Sequence, residues 1–402
     1  MKIAVMGYGT VGSGVVKVLK DNRKAIADKS INGEIDVKYI LDIKEVNDEN
    51  SCLVTKNFDD IANDDEVKVV VETMGGLHPA FEFVSQCLRK GKSVVTSNKE
   101  LVAEKGLELM ALANENGVMF EFEASVGGGI PVIRAITDSL NSNEITNIAG
   151  IVNGTTNFIL TKMFNEGADY ADVLKLAQAL GYAEKDPTAD VEGLDAGRKI
   201  CILSSLAYGK HIYPSAVHTE GISSIKPEDV LFADKLGCVI KLIARAKKEE
   251  SGISAMVSPA LISKKSPLAF VSDVNNAVLI RGNAVKEIML YGPGAGMLPT
   301  ASAVVSDIID CCNKTDSEKT INMFWKEKAE DGYIKDRLNV KTRFFVRGAF
   351  TKEQIEAVFG KTELICDKGE AAFITPEKTE GELLEELSAI GGIRSLIRKL
   401  DY

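Results

Sequence analysis

A short apolar strand, Ile3-Ala4-Val5-Met6, runs directly into Gly7-Tyr8-Gly9-Thr10-Val11-Gly12, and a helical pattern through Val15, Val16, Val18 and Leu19 follows at once. No other segment restricts the fold as tightly. A G-x-G-x-x-G run means little alone and much at the junction of a buried strand and a helix. Gly7 permits the tight turn, Gly9 lets a pyrophosphate reach the backbone, and Gly12 lets the helix pack closely on the strand. The unpaired N–H groups and positive dipole end of that helix then favour phosphate.

The same alternation continues for about 125 residues. Strands are predicted at Ile3–Met6, Val37–Leu41, Val67–Glu72, Ser93–Thr96 and Val118–Glu123, with helices near Ser13–Ile26, Pro79–Arg89 and Ala103–Asn116. The strands are short and valine-rich, as parallel strands covered on both faces are. From residue 131 the rhythm changes. Helices are predicted at Pro131–Leu140, Ala171–Leu180 and Leu194–Tyr208, and long strand-like stretches at Cys238–Ala246 and Ala277–Ile280. Tyr291–Gly296 reads as a turn before a helix near Ala301–Ile309 that returns to the first domain, and part of the polar stretch Thr315–Lys341 as a linker. The last 60 residues follow the order β-α-β-β-α-β. The fold class is therefore α/β. A Rossmann-type doubly wound parallel sheet spans 1–130, with a return segment at about 291–318. An α+β substrate-binding and dimerisation domain spans 131–290, and a small βαββαβ C-terminal domain spans 340–402.

Composition removes several alternatives. A formal net charge of −10 argues against nucleic-acid binding. No apolar run approaches the roughly 18 to 20 residues of a membrane span. The N-terminus reads as a core strand rather than a signal peptide. The seven cysteines lack C-x-x-C spacing, and the three histidines, His78, His211 and His218, lack metal-ligand spacing. These features indicate a cytoplasmic protein without structural zinc, and they turn the search for acid–base groups to Lys, Asp and Glu.

Several polar constellations follow predicted strands. Glu72-Thr73 ends one strand, and Thr96-Ser97-Asn98-Lys99 follows the next, where a nicotinamide ring would lie. By position alone Lys99 is either a functional lysine or a solvated one. Glu123-Ala124-Ser125-Val126-Gly127-Gly128-Gly129-Ile130-Pro131 combines a carboxylate with a glycine run that frees carbonyls to turn inward. That pattern suits a hard cation or, equally, a flexible hinge. Asp195 and Lys199 share one helix face at i,i+4, an arrangement more often found in surface ion pairs than in active sites. With Glu184, in the preceding loop Gly181–Pro187, they offer carboxylates for an ammonium and a hydroxyl, and a lysine for a proton.

Taken in order, Gly7–Gly12, Glu72–Gly76, Ser97–Glu100, Glu123–Pro131, Asn153–Asn157, Gly181–Asp186, Gly193–Lys199 and Gly292–Gly296 resemble the homoserine dehydrogenases over about residues 1–320. The resemblance implies NAD(P)-dependent interconversion of L-homoserine and L-aspartate 4-semialdehyde, in threonine, methionine and isoleucine biosynthesis. It implies that Lys199 carries the proton, that Asp195 and Glu184 bind homoserine, and that Lys99 assists proton transfer. It implies cofactor contacts from Thr10, Val11, Thr73, Ser97, Gly181 and Gly296. It also implies a sodium or potassium site made by Glu123 and the carbonyls of Val126, Gly128 and Ile130. Asp42, at the end of the second strand, suits ribose hydroxyls and would repel a 2′-phosphate, so NAD is slightly favoured over NADP. The C-terminal domain resembles the ACT type in element order, although Gly348–Lys352 lacks the aspartate–proline–glycine turn of many ACT domains. A chain ending near Lys341 is expected to keep dehydrogenase activity, since no matched residue lies beyond it. A homodimer or homotetramer is expected. A related amino-acid dehydrogenase, or a catalytically silent NAD-binding sensor, is the competing reading.

Overall fold

The computed structural model describes residues 1–314 and 325–402. They form two compact units. One comprises Met1–Ser142, Cys201–Pro214 and Gly292–Ala329, and the other comprises Asn143–Ile200, Ser215–Tyr291 and Glu330–Tyr402.

The first unit holds a six-stranded sheet: β1 (Lys2–Met6), β2 (Asp36–Leu41), β3 (Val54–Thr55), β4 (Val67–Glu72), β5 (Ser93–Thr96) and β6 (Phe120–Glu121). The spatial order is β3-β2-β1-β4-β5-β6, and every pairing is parallel. This is the doubly wound dinucleotide-binding order, in which ligands bind at the strand C-termini beside β1 and β4. Ile3, Val5, Val69 and Val71 bury one sheet face against Val15, Val304 and Ile308 of the helices Thr10–Asp21 and Met297–Asn313. A Cβ on Gly14 would meet Met297 O at 2.9 Å, so glycine sets how closely those helices approach.

The second unit is built on an eleven-stranded mixed sheet. Its strands include β7 (Ile145–Ile151), β8 (His218–Thr219), β9 (Cys238–Lys248), β10 (Ile253–Ser263), β11 (Asn275–Gly282) and β12 (Lys286–Pro293). They continue with β13 (Lys341–Gly348), β14 (Ile365–Asp367), β15 (Glu370–Ile374), β16 (Lys378–Thr379) and β17 (Ile393–Leu400). The main path runs β12-β11-β7-β9-β10-β17-β13-β15-β14. Within the C-terminal module the order β17-β13-β15-β14 places its four principal strands as 4-1-3-2, the split-βαβ arrangement. Phe344, Val346, Ile355, Phe373 and Leu383 form its core.

Several elements differ from expectation for local reasons. The helix expected over Ser13–Ile26 breaks at Asn22 into Thr10–Asp21 and Arg23–Ala27. The helix expected from Ala103 begins four residues earlier, at Lys99, because the Asn98 side chain accepts the Leu101 N–H and caps it. Pro131–Leu140 becomes one turn, Val132–Arg134, followed by a π-helical turn, Ala135–Ser139. Tyr291–Pro293 is the end of β12 rather than a turn. Of the expected linker, and of the return segment's tail, residues 315–324 lie outside the described residues. Trp325 just beyond them is buried, and it packs on His211 and against Gly106.

The C-terminal module does not stand apart from the second unit's sheet. β17 pairs in parallel with β10, through Ala260–Arg398 to Ile262–Leu400. Two buried arginines also tie it down. Arg398 donates to both Glu220 oxygens at 2.6 and 2.9 Å and to Glu380 at 2.6 Å. Arg347 donates to Asp229 at 2.7 Å and also pairs with Glu370. Removing residues 341–402 would strip β10 of an edge partner and leave Asp229 buried without its arginine, which is more costly than an exposed cut. The expectation that a chain ending near Lys341 stays active is therefore revised. Such a chain should be largely insoluble or lose cooperative unfolding, and circular dichroism melting against the full chain tests this.

Candidate functional site

In the first unit the glycine turn is shaped by close backbone approach. Gly7 has φ +94°, and a Cβ on Gly12 would lie 1.9 Å from Gly7 O. Neither position tolerates a side chain. Gly9 has nothing within 4 Å of its would-be Cβ, which leaves its side of the turn open. Thr10 and Val11 begin the helix, with Gly9 as its N-cap. Thr73 lies against the turn and donates its hydroxyl to Gly7 O at 2.9 Å. Asp42 is half-buried, and its two oxygens accept the Tyr8 N–H at 2.7 Å and the Lys44 N–H at 2.8 Å. It therefore anchors the turn, a role the sequence did not show. An open, N–H-rich turn at a helix start fits a dinucleotide pyrophosphate.

Glu72 organises the strand ends beside it. Its buried carboxylate accepts the N–H groups of Met74 and Gly75 at 2.8 and 3.1 Å and the Thr96 hydroxyl at 2.6 Å. Burial pushes its pKa up, against those three hydrogen bonds. Asn98 donates to Gly76 O at 2.6 Å, which joins the loops after β4 and β5. Half-buried Lys99 is the first residue of the helix that Asn98 caps, and Ser97 precedes it. The sequence places Glu72, Thr96 and Asn98 at the strand ends where a nicotinamide would lie, but not the hydrogen bonds that join them. The cue was Asn98, a capping residue directly before a helix-forming run.

Glu123 is buried, and its oxygens accept the N–H groups of Ile133 at 2.9 Å and Arg134 at 2.8 Å. Burial raises its pKa to about 7, against those bonds. Gly127 and Gly128, at φ +76° and +56°, turn the loop that carries the carbonyls of Val126, Gly128 and Ile130. The Ile130 carbonyl already accepts the Val132 N–H at 2.8 Å. A Cβ on Gly128 would meet Gly294 O at 2.6 Å. Gly296, at φ +117°, caps the helix Met297–Asn313. Among the described residues no group of three His, Cys, Asp or Glu could hold a metal. The oxygen donors at Glu123 are those of a hard cation rather than a transition metal.

In the second unit the residues meet around one buried lysine. Lys199 Nζ donates to Asp195 Oδ2 and to Val152 O, each at 2.7 Å. Asn153 follows at once, and its amide donates to Asp195 Oδ2 at 3.0 Å and to Asp190 Oδ1 at 2.7 Å. The same side chain accepts the Thr156 N–H at 2.9 Å, capping the helix Gly154–Glu166. The Thr155 hydroxyl donates to Tyr182 O at 2.6 Å, joining this cap to the loop after Gly181. Gly181, at φ +76°, follows the helix Tyr170–Ala179, and Glu184 in the same loop is exposed. The surface-pair reading of Asp195 and Lys199 fails, because both are buried. Asn153 and Thr155 lie in the Asn153–Asn157 run on which the resemblance rests, whereas nothing in the sequence singles out Asp190. The Asn-Gly-Thr-Thr run after a strand was the available signal for a cap.

A nucleotide-binding α/β unit, and a second unit with a buried lysine among carboxylates, define a nicotinamide-dependent oxidoreductase class. Residues 7–123 match the family model described as "Homoserine dehydrogenase, NAD binding domain", and residues 131–309 match "Homoserine dehydrogenase". The homoserine dehydrogenase of Bacillus subtilis is 40% identical over 393 residues, covering 96% of this chain and 90% of that protein. The crystal structure of a homoserine dehydrogenase from Thiobacillus denitrificans superposes with a TM-score of 0.89 at 37% identity, over 100% of this chain and 98% of that one. A hyperthermophilic archaeal homoserine dehydrogenase, solved in complex with NADPH, has a TM-score of 0.66 at 30% identity, over 77% and 97%. The chain belongs to the homoserine dehydrogenase family: it is an NAD(P)-dependent oxidoreductase acting on the CH–OH of homoserine.

Asn153→Ala removes a helix cap and the amide shared by Asp190 and Asp195. It should lower stability by about 1–2 kcal/mol, the scale of a lost N-cap. Urea unfolding measures this, and an unchanged midpoint would show that the bridge contributes nothing to the fold.

Proposed function

We propose that Lys199 is the proton donor and acceptor for the hydroxyl of homoserine, and that Asp195 and Glu184 bind the substrate. The observation that supports this most is the position of the Lys199 ammonium, buried and held by a carboxylate and a carbonyl at 2.7 Å. Asp195 stabilises the charged lysine. The pair is therefore set to donate a proton to the aldehyde oxygen during reduction, and must lose that proton before oxidation. The bound nicotinamide supplies or takes the hydride. Lys99, beginning its helix after the Glu72–Thr96–Asn98 mesh, is proposed to assist proton transfer. Gly7, Gly9, Thr10, Val11, Gly12, Asp42, Thr73, Ser97, Lys99, Gly181 and Gly296 are the proposed cofactor residues.

Glu123 with the carbonyls of Val126, Gly128 and Ile130 is proposed to hold sodium or potassium, supported by the buried carboxylate and the glycine-turned loop. The segment 340–402 is proposed as an ACT-type module, supported by its 4-1-3-2 strand order. A homodimer or homotetramer in the cytoplasm is the proposed state. No helix among the described residues is long and apolar enough to cross a membrane.

Lys199→Ala should lower kcat by about 100-fold or more, the scale of a lost acid–base group, with cofactor affinity nearly unchanged. Steady-state kinetics with L-homoserine test it, and near-normal turnover would remove the assignment. Glu184→Gln should raise KM for homoserine more than it lowers kcat, and an unmoved KM would require another role for Glu184. NAD should serve at least as well as NADP, because Asp42 places a carboxylate at the end of β2. The kcat/KM ratio for the two cofactors measures this, and a strong preference for NADP would overturn it.

A further inference from the structure

The second unit contains a cavity of about 440 Å³ lined by none of the residues proposed for the dehydrogenase site. Its lining includes Arg245 and Lys247 of β9, Arg281 of β11, Arg343 of β13 and Lys399 of β17, against the carboxylates of Asp401 and Glu377. The strand register crowds these cations. Asn147 of β7 lies directly between Lys247 and Arg281, and Arg343 lies directly opposite Lys399. Arg245 and Lys247 are two apart on one strand and share a face. Like charges in such positions destabilise a sheet unless a counter-charge sits among them.

The available counter-charge is unevenly spread. Asp401 pairs with both Lys399, at 2.7 Å, and Arg343. Arg281 is engaged by Glu287 at 2.8 Å. Lys247 has Glu249 only at 3.9 Å. Arg245 makes no ion pair within 4 Å among the described residues, and its one side-chain hydrogen bond of standard geometry goes to the Met256 sulfur at 3.1 Å. It also meets the Tyr402 hydroxyl and, farther off, Glu249, but a half-buried guanidinium with no carboxylate beside it lacks the ion pair that makes burial of charge tolerable. The Asn147 side-chain oxygen, also buried, has no hydrogen-bond partner. The rest of that amide meets the Tyr402 hydroxyl.

We propose that this cavity binds a small polyanion, a molecule carrying phosphate groups or several carboxylates, with Arg245 as its principal contact. The anion would bridge cations of β9 and β11 to those of β13 and β17, and so fasten the C-terminal module to the sheet it extends. Arginine suits this role, because its planar fork matches carboxylate and phosphate oxygens.

The test is thermal unfolding of the full chain with NAD⁺ at saturation, which keeps the probe out of the glycine turn. Sodium pyrophosphate and sodium citrate are the probes, against sodium chloride at matched ionic strength. At least one probe should give a saturable rise in Tm of a few degrees, as for a ligand held by the folded state alone. Arg245→Gln should abolish that rise, keep dehydrogenase turnover, and be at least as stable as the parent without a probe. If Arg245→Gln does not fold, Lys399→Gln should show the same weakened response. A rise that tracks ionic strength alone, or one that persists in the folded variant, overturns the proposal. A changed oligomeric mass of the variant by light scattering also overturns it, and assigns this face to a second copy of the chain.

Discussion

The buried pair of Asp195 and Lys199 is the constraint on which the second unit's local order depends. Two charges removed from water need close geometry and further hydrogen bonds to be tolerated. Here the ammonium takes a carboxylate and the Val152 carbonyl, both at 2.7 Å, while the carboxylate oxygen also takes the Asn153 amide. Val152 and Asn153 are the two residues after β7, so the end of a sheet strand fixes both partners. The strand cannot slip by one residue without exchanging Val152 and Asn153, since alternate residues face opposite sides. The helix Gly154–Glu166 then starts where it does because the same asparagine caps it. A Cβ on Gly154 would meet Val274 O at 2.8 Å, so the cap also requires glycine beside it.

Glu72 solves a similar problem in the first unit with neutral donors. Its oxygens take two backbone N–H groups and a hydroxyl, which ties the loop after β4 to the end of β5, and Asn98 joins the loop after β5 to the same place. Asp42 repeats the device at β2, binding the N–H of Tyr8 inside the glycine turn. Each carboxylate stands at the C-terminal end of a parallel strand, where the doubly wound topology leaves a crevice. Carboxylate acceptors at the strand ends thus shape the rim of the turn from within the protein.

The C-terminal module shows how an edge strand is managed. A free β10 edge beside a second free β17 edge would be two sites for unwanted pairing. Their parallel pairing removes both, and Arg398 with Glu220 and Glu380, and Arg347 with Asp229 and Glu370, add buried charge contacts on either side. Such arginine–carboxylate networks favour one arrangement of the strands more than they add net stability. The cation-rich cavity is lined from both sides of that seam, by β9 and β11 on one side and by β13 and β17 on the other.

Local chemistry made much of this molecule legible. The glycine turn, the valine-rich parallel strands, the helix Leu194–Tyr208 and the β-α-β-β-α-β order of the last residues all follow from backbone freedom, periodicity and turn residues, which act over a few positions. The i,i+4 spacing of Asp195 and Lys199 also came from the chain itself. Tertiary structure decided the remainder. Whether that pair was buried depended on β7 ending at Val152, some 43 residues before Asp195, and no local pattern carries that distance. Asp42 became an anchor of the turn because β2 lies beside β1. Arg245 lacks a carboxylate because residues far apart in the chain set its neighbours. Hydrogen-bond satisfaction and charge pairing are properties of the assembled neighbourhood, and one sequence specifies that neighbourhood only once its strands have found their order.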